Sequence, residues 1–132
     1  LEHAALSPYF ALEFKTRTFA DRKRELLQKA EGERLRVILA YLSQRRQAIA
    51  YAVGTVNHMN VAELDSLYVD RLFRGSGIGG RLTADMLRWL QAQRPASVVV
   101  HVAIGNESVV PFYRRFGFLP RVMCLTLKRA RR

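Results

Sequence analysis

The sequence predicts an α/β domain built on a mixed, mostly antiparallel sheet. Two runs rich in apolar, β-branched and aromatic residues, at 35–42 and 48–56, are joined by the polar stretch 43–47, which is typical of an antiparallel hairpin. A third strand-like run at 61–69 leads through a glycine-rich stretch into a helical pattern, and a nearly all-apolar run follows at 97–103. The order strand, helix, buried strand indicates at least one parallel crossover.

We expect a single domain over residues 1–132. The chain is 49% hydrophobic and 25% charged, and no repeat or low-complexity linker divides it. A chain of this length hides roughly two thirds of its surface on folding, so it needs neither a metal nor a disulfide for stability. Its one cysteine, Cys124, has apolar neighbours and is predicted to be a small buried side chain.

The sequence also limits where the protein works. No apolar run approaches the roughly 18 residues of a membrane span. The N-terminus has no basic region followed by an apolar stretch, as a secretory signal would have. Together with the single cysteine, these features predict a cytoplasmic protein without a membrane partner.

The formal net charge of +11 predicts a surface that attracts anions. The basic residues are spread along the chain, and only 128–132 form a run. That run is either a solvated basic tail or a contact for nucleic acid, and the scattered pattern makes a nucleic-acid partner the less favoured interpretation. A ligand with several phosphate groups would use part of the positive charge.

The N-terminal region contains two helical patterns. Pro8 would suit the first turn of a helix, although Phe10, Leu12 and Phe14 alternate as they would in a strand, and we favour the helix. Residues 18–30 show a clearer helical face.

The segment after the glycine-rich stretch is predicted to be the main helix. Its apolar residues recur at the spacing i, i+4, i+8 and i+11, and Pro95 closes it. The predicted buried stripe consists of Ile78, Leu82, Met86, Trp89 and Leu90.

The last two predicted elements are a short helix and a strand. Ser108 is favoured over Asn106 as the cap of the helix, because that choice puts Pro111 in the first turn, where proline is tolerated. Residues 121–128 are predicted to form the final strand.

A glycine-rich loop joins the third strand to the main helix. Backbone N–H groups at the start of a helix lack intrahelical partners, and glycines let an anion approach them, so the loop predicts a phosphate site. The string also fits the dinucleotide fingerprint G-x-G-x-x-G of a Rossmann fold, although the acidic residue expected about 20 positions later is missing. A tight turn without a ligand is the third interpretation. The loop consists of Arg74, Gly75, Ser76, Gly77, Ile78, Gly79 and Gly80.

These loop residues resemble the acetyl-CoA motif Gln/Arg-x-x-Gly-x-Gly/Ala of the GCN5-related N-acetyltransferase (GNAT) superfamily. The resemblance runs from Val61 to Leu119 and includes a second motif, which begins at Asn106 and contains Pro-Phe-Tyr-Arg-Arg-Phe-Gly-Phe around Tyr113. The stretch around Tyr113 is also similar to that of arylalkylamine N-acetyltransferases. The resemblance implies the GNAT fold, in which a splayed parallel strand pair lies at the centre of the sheet and helices flank it.

The resemblance implies acetyl-CoA as the cosubstrate and a primary amine, on a small molecule or a protein, as the acceptor. In this family the pantetheine arm enters the gap between the splayed strands and pairs with the backbone of the strand before the loop. The corresponding residues here are Leu67, Tyr68 and Val69, and Asn106 is expected to contact the same arm. The loop would then hold the diphosphate.

The resemblance also implies catalytic residues. A lysine-like amine is only about 0.04% deprotonated at pH 7, so a base helps acetyl transfer. Glu63 and Asp65 are two residues apart on the predicted strand, so both side chains are expected on one face, at positions where family members carry their base. Glu63 is the first candidate and Asp65 the second. Tyr113 matches the family tyrosine that protonates the departing thiolate. The alternatives are a solvated face for the two carboxylates and core packing for Tyr113.

Other expectations concern residues outside these motifs. His101 is predicted to be a satisfied core histidine, and no spacing of histidine, cysteine and acidic residues predicts a metal site. Fewer residues follow Phe118 than the C-terminal hairpin of the family needs, so the acceptor wall is either incomplete or supplied by a second subunit of a homodimer. The second functional hypothesis is an acyl-CoA-binding or regulatory module without catalysis.

Overall fold

The computed structural model describes residues 34–43 and 47–129. The helical patterns predicted within the first 30 residues lie outside the described residues, as does the end of the basic run at 130–132.

Four strands in the described part of the chain form one sheet in the order β1-β2-β3-β4. They are β1 (Arg34–Tyr41), β2 (Ala48–Val56), β3 (Val61–Val69) and β4 (Ser97–Val99). The pairs β1–β2 and β2–β3 are antiparallel, and β3–β4 is parallel. This mixed sheet confirms the predicted fold class. It contradicts the Rossmann alternative, which requires a mostly parallel sheet.

The core lies between the helix α1 (Ile78–Ala92) and one face of the sheet. Within α1 the predicted stripe is confirmed, since Leu82, Met86 and Leu90 are at most 5% exposed while Ile78 and Trp89 pack against the same core. Full burial of such a side chain stabilises a fold by about 1.5–3 kcal/mol. The buried cluster consists of Ala50, Ala52, Val56, Ala62, Leu64, Leu82, Met86 and Leu90.

Two turns are tied together at the edge of the core where β3 and β4 begin. Asn60 and Arg94 both adopt left-handed backbone conformations, with φ of 58° and 51°. The Asn60 side chain donates a hydrogen bond to the Arg94 carbonyl at 3.0 Å, and the Asn60 carbonyl accepts one from the Ala96 N–H at 2.8 Å. These bonds place the first residues of β3 and β4 side by side.

β4 is shorter than the strand predicted at 97–103. Its residues Ser97, Val98 and Val99 pair with the first three residues of β3, and no residue beyond Val99 is assigned to the strand. A strand needs a neighbour that continues its ladder of hydrogen bonds, and the ladder between β3 and β4 ends at Glu63 and Val99. The apolar composition of 97–103 could not reveal this separation.

The strand predicted at 121–128 is wrong. Residues 119–129 contain no strand, and the side chains of Val122, Leu125 and Leu127 are 82%, 86% and 91% exposed. An alternating apolar pattern forms a strand only when it finds a partner strand and a surface to cover, and the described residues offer this segment neither. Cys124, which was predicted to be buried, is exposed for the same reason.

The segment before that tail forms a 3-10 turn (Glu107–Val109) followed by the short helix α2 (Val110–Arg114). Pro111 lies in the first turn of α2, as predicted. The preference for Ser108 as the cap is wrong, because the 3-10 turn begins at Glu107 with Asn106 as its N-cap residue, and the N-cap residue of α2 is Val109.

Candidate active site

The parallel strands β3 and β4 form a fork. They are paired at Val61, Ala62 and Glu63, after which β3 continues for six residues while β4 has ended. Among the described residues, no strand pairs with the second edge of β3 beyond Glu63. The sheet therefore presents an open strand edge at its centre, where an extended ligand can add hydrogen bonds.

The backbone directions at the end of β3 show which groups face this open edge. The Asp70 N–H bonds to the Ile49 carbonyl on the β2 side at 2.7 Å. The Val69 carbonyl instead accepts a bond from Nε of Arg74, at 3.0 Å. Because backbone groups alternate between the two edges along a strand, the N–H and C=O of Leu67 face the open edge with those of Val69, whereas those of Tyr68 face β2. The Tyr68 ring stacks on Tyr51, with centroids 5.6 Å apart.

A β-bulge interrupts β3 just past the fork. Val53 of β2 stands opposite Ser66, and the next residue, Gly54, stands opposite Leu64, so Asp65 is the extra residue. The rule that side chains two residues apart share a face of the strand fails at a bulge, so the prediction that Glu63 and Asp65 share one face does not hold here. One carboxylate oxygen of Asp65 accepts a hydrogen bond from the Ser66 hydroxyl at 3.2 Å.

The glycine loop lies beyond the end of β3 and starts α1. Gly75 and Gly77 have φ of 82° and 86°, which side chains other than glycine adopt only with strain. Gly77 is the N-cap of α1 and provides no side chain to cap the first N–H groups. The first backbone bond of the helix to Gly77 comes from Arg81, so the amides of Ile78, Gly79 and Gly80 precede the intrahelical ladder.

A cleft of about 630 Å³ opens at this helix start. Three arginines, Arg74, Arg81 and Arg115, line it together with aromatic side chains that lie just before the glycine loop, in α2 and just after α2. The Arg115 guanidinium lies 5.2 Å from the centre of the Phe112 ring, which also lines the cleft, and the two groups form a cation–π contact. The N-terminus of α1 carries the positive end of the helix dipole, and its first backbone N–H groups have no intrahelical partner. Together with the three guanidinium groups, these features favour the binding of an anion with several phosphate groups. The cleft is lined by Val69, Phe73, Arg74, Gly75, Gly77, Ile78, Gly79, Gly80, Arg81, Phe112, Arg115 and Phe116.

Tyr113 is not one of the residues that line this cleft, although its neighbour Phe112 is. It packs against the core cluster, and its ring meets Phe112 and Phe118 edge-on, with centroids 5.2 Å and 5.9 Å apart. Burial raises the pKa of Tyr113 above its ordinary value of 10.0, so the hydroxyl keeps its proton well into the alkaline range. The ring of Tyr113 thus contributes to packing, while its hydroxyl stays protonated at neutral pH.

Asn106 and Glu107 hold the turn that leads into α2. Asn106 is half-buried and makes no side-chain capping bond, while both carboxylate oxygens of Glu107 accept the Gly105 N–H at 3.0 Å. These bonds lower the pKa of Glu107 below its ordinary value of 4.5.

His101 is not the core histidine that the apolar run around it predicted. Its side chain is 74% exposed, and Nδ1 lies 2.8 Å from Oε1 of Glu63, whose side chain is 27% exposed. The contact crosses the fork, from the end of β4 to β3. Residue type alone does not reveal this pair, but a correct strand register would, because Glu63 pairs with Val99 and His101 lies two residues further along the same face.

Two further features concern metals and membranes. No group of three or more metal-ligating side chains occurs within residues 34–43 and 47–129. None of the helices described has the length and apolar character that a membrane crossing requires.

Known proteins resemble the chain in sequence. The model of the acetyltransferase (GNAT) family matches residues 3–118. An uncharacterized N-acetyltransferase of Methanocaldococcus jannaschii is 30% identical over 66 residues, which are 50% of this chain and 29% of that protein. The chain thus spans less than a third of the length of this curated relative.

Solved structures resemble the chain in fold. An aminoglycoside antibiotic 6'-N-acetyltransferase of Acinetobacter haemolyticus superposes with a TM-score of 0.69 at 20% identity, covering 94% of this chain and 91% of that one. An aminoglycoside acetyltransferase in complex with a bisubstrate analogue of CoA gives 0.68 at 17% identity, with coverages of 98% and 91%. The match of the family model over most of the sequence, together with this shared fold, shows that the chain belongs to the acetyltransferase (GNAT) family.

Proposed function

We propose that the protein transfers the acetyl group of acetyl-CoA directly to a primary amine. The observation that carries the proposal is the adjacency of an anion-binding helix start and an open strand edge, joined by the loop from Arg74 to Gly80. Coenzyme A has a diphosphate at one end and an amide-containing pantetheine arm at the other. It needs both kinds of site next to each other.

The diphosphate is assigned to the start of α1. The amides of Ile78, Gly79 and Gly80 precede the helical ladder, and the glycines at 75 and 77 keep side chains away from them. A Cβ atom at Gly79 would find only ordinary contacts, at 3.6 Å from Val69 and 4.0 Å from Phe112, so a ligand atom has room there. Arg81 and Arg115 line the same cleft and add charge. Ser76 completes the loop through its bond to the Phe73 carbonyl.

The pantetheine arm is assigned to the open edge of β3. The N–H and C=O of Leu67 face that edge and can pair with the amides of the arm as a neighbouring strand would. The Val69 carbonyl already accepts a bond from Arg74, which would have to be exchanged or shared when the arm binds. Asn106, half-buried beside α2, is the proposed side-chain contact of the same arm.

The reaction is assigned to the fork. The amine nitrogen attacks the thioester carbonyl carbon, the C–N bond forms, and the C–S bond breaks as the thiolate leaves. A backbone N–H at the bulge would stabilise the oxyanion of the tetrahedral intermediate, a contact typically worth a few kcal/mol. Tyr113 donates its proton to the thiolate, a role supported by the family motif around this residue and by a phenol that is protonated at neutral pH.

Proton removal from the amine is assigned to the Glu63 side of the fork rather than to Asp65. Glu63 stands at the last paired position of β3, next to where the strands part. Asp65 is the extra residue of the bulge, and its carboxylate is already bonded to Ser66.

The test combines binding and turnover. We expect acetyl-CoA to raise the melting temperature and to give a saturable heat signal, while NADH gives neither. Incubation with phenylethylamine, an aminoglycoside and a lysine peptide should yield an acetylated amine for at least one of them, detected by mass spectrometry. Absence of acetyl-CoA binding would overturn the whole proposal. Tight binding without transfer to any amine would instead favour the acyl-CoA-binding module.

A further inference from the structure

We propose that His101 is the catalytic base that accepts the amine proton, and that Glu63 is a positioning residue that acts through it. The inference rests on the proposed acetyl transfer and assigns one of its steps. It starts from the 2.8 Å contact between Nδ1 of His101 and Oε1 of Glu63, which joins the two strands at the point where they separate.

The two side chains lie on the sheet face opposite α1. Ala62 and Leu64 belong to the core cluster beneath α1, so Glu63 between them projects from the other face. Val98 and Val100 pack against the same core, so His101 also projects away from it. The pair therefore spans the mouth of the fork on the face that the helix does not cover.

The contact determines which nitrogen of His101 can accept a proton. A carboxylate only accepts hydrogen bonds, so the contact requires the hydrogen of the imidazole on Nδ1. The lone pair of the neutral ring then lies on Nε2, which points away from Glu63. With 74% of the His101 side chain exposed, an incoming amine can reach Nε2. Glu63 is the charged group that the described residues place against the ring.

The chemistry favours an imidazole over a carboxylate as the base. The ordinary pKa values of histidine and glutamate are about 6.5 and 4.3, so an ammonium transfers its proton to an imidazole roughly 100-fold more readily. The carboxylate of Glu63 contributes by fixing the tautomer and by stabilising the imidazolium that forms.

The proton balance of the reaction closes with this assignment. The acceptor arrives as an ammonium ion and gives one proton to Nε2 of His101, which becomes imidazolium. The neutral amine then forms the C–N bond as the C–S bond breaks, and the thiolate takes the proton of Tyr113. The Tyr113 phenolate recovers a proton from the new amide nitrogen, and His101 releases its proton to water. One ammonium and one acetyl-CoA thus give one acetamide, one CoA thiol and one proton.

The experiment compares His101→Gln and Glu63→Gln with His58→Gln, a control at an exposed histidine in the β2–β3 turn. The substrate is whichever amine of the panel above the wild type acetylates. We expect His101→Gln to lower kcat about 10²- to 10⁴-fold and to leave the Kd of acetyl-CoA unchanged. The dependence of kcat/KM on pH should also change, because without the imidazole only the small fraction of free amine can react. The activity of the variant should therefore keep rising with pH until the amine itself is deprotonated, at about pH 10. Glu63→Gln should lower kcat less, and His58→Gln should change neither value.

A second measurement reports on the pair itself. Nitrogen-15 NMR of wild-type protein labelled in its histidines should show the neutral ring of His101 with its hydrogen on Nδ1, and Glu63→Gln should shift this signal towards the other tautomer. Retention of wild-type kcat and pH profile in His101→Gln would overturn the base role, as would a wild-type ring with its hydrogen on Nε2. If the wild type acetylates no amine, the proposed function itself fails. If the wild type acetylates an amine and His101→Gln acetylates it equally well, only the base role fails, so the two failures are distinguishable.

Discussion

Gly54 of β2 lies directly against Met86 of α1. A Cβ atom at Gly54 would be 2.5 Å from the sulfur of Met86 and 3.2 Å from Cδ2 of Leu90, and all of these groups are buried. The absence of a side chain at position 54 therefore sets how closely the helix approaches the sheet. Because the start of α1 forms the cleft, this contact also positions the proposed diphosphate site.

Replacing Gly54 with alanine should destabilise the protein by about 1–3 kcal/mol, since the new methyl group would overpack a closed interface. Urea denaturation followed by circular dichroism measures the change. The unfolding free energy would remain at the wild-type value only if Met86 could move aside without cost. That result would contradict the close packing.

Gly77→Ala should weaken acetyl-CoA binding about tenfold or more. At a φ of 86° an alanine costs about 1–2 kcal/mol, and relief of this strain would turn the first amides of α1 away from the cleft. Calorimetric titration with acetyl-CoA measures the affinity.

Gly80→Ala is the matched control within the same loop. Gly80 has no left-handed φ, and its Cβ would lie 4.0 Å from Phe116, an ordinary contact. Because alanine is the better helix former, we expect a gain of about 0.5–1 kcal/mol in stability. The affinity for acetyl-CoA should fall far less than in Gly77→Ala. Equal losses in both variants would argue against a specific role for the left-handed glycine.

Tyr113→Phe should lower kcat about 10²- to 10⁴-fold and leave acetyl-CoA affinity close to that of the wild type, because it removes only the hydroxyl. Steady-state kinetics and calorimetry separate the two effects. Tyr41→Phe, at a tyrosine that is 57% exposed on β1, is the control and should behave as the wild type. An unchanged kcat in Tyr113→Phe would leave this residue a packing role only.

The same tyrosine predicts how stability depends on pH at the alkaline end. Burial raises the pKa of Tyr113 in the folded state, so its contribution to stability is fully present below the unfolded-state pKa of about 10. That contribution is lost as the pH rises through the higher folded-state value. The unfolding free energy of the wild type should therefore fall above about pH 10, and more steeply than that of Tyr113→Phe. Parallel curves for the two proteins would contradict the assignment.

Cys124 should react with a thiol reagent in the native protein, because its side chain is exposed. We expect one equivalent to be labelled at the same rate with and without denaturant. Protection in the native state would show that residues 121–128 are covered in solution. Assays that detect the CoA thiol should accordingly use a Cys124→Ser background.

Much of this fold could be predicted from the sequence because the relevant signals are local. The buried residues Leu82, Met86 and Leu90 recur with the spacing of an α-helix. The strands β2 and β3 begin and end at the residues that the sequence pattern predicted. The glycine loop could be recognised for the same reason, since left-handed φ values and a helix start are requirements of a few adjacent residues. The family resemblance, read from the loop and the Tyr113 motif, is confirmed by the family model.

Interactions between distant segments could not be predicted in this way. The alternation of 121–128 predicted a strand, yet a strand exists only where a partner supplies hydrogen bonds. The early end of β4, the bulge at Asp65 and the open edge beside Leu67 all depend on how three strands align.

Within residues 34–43 and 47–129, the sequence by itself thus determined α1, the strands β1, β2 and β3, the glycine-rich loop and the family, because each follows from the conformational preferences of neighbouring residues. Only the tertiary structure decided that Glu63 meets His101, 38 positions further along the chain. Their contact depends on the register of β3 against β4, which the bonds of Asn60 to Arg94 and Ala96 hold in place. Register is a property of the pair of strands and is encoded in neither strand alone.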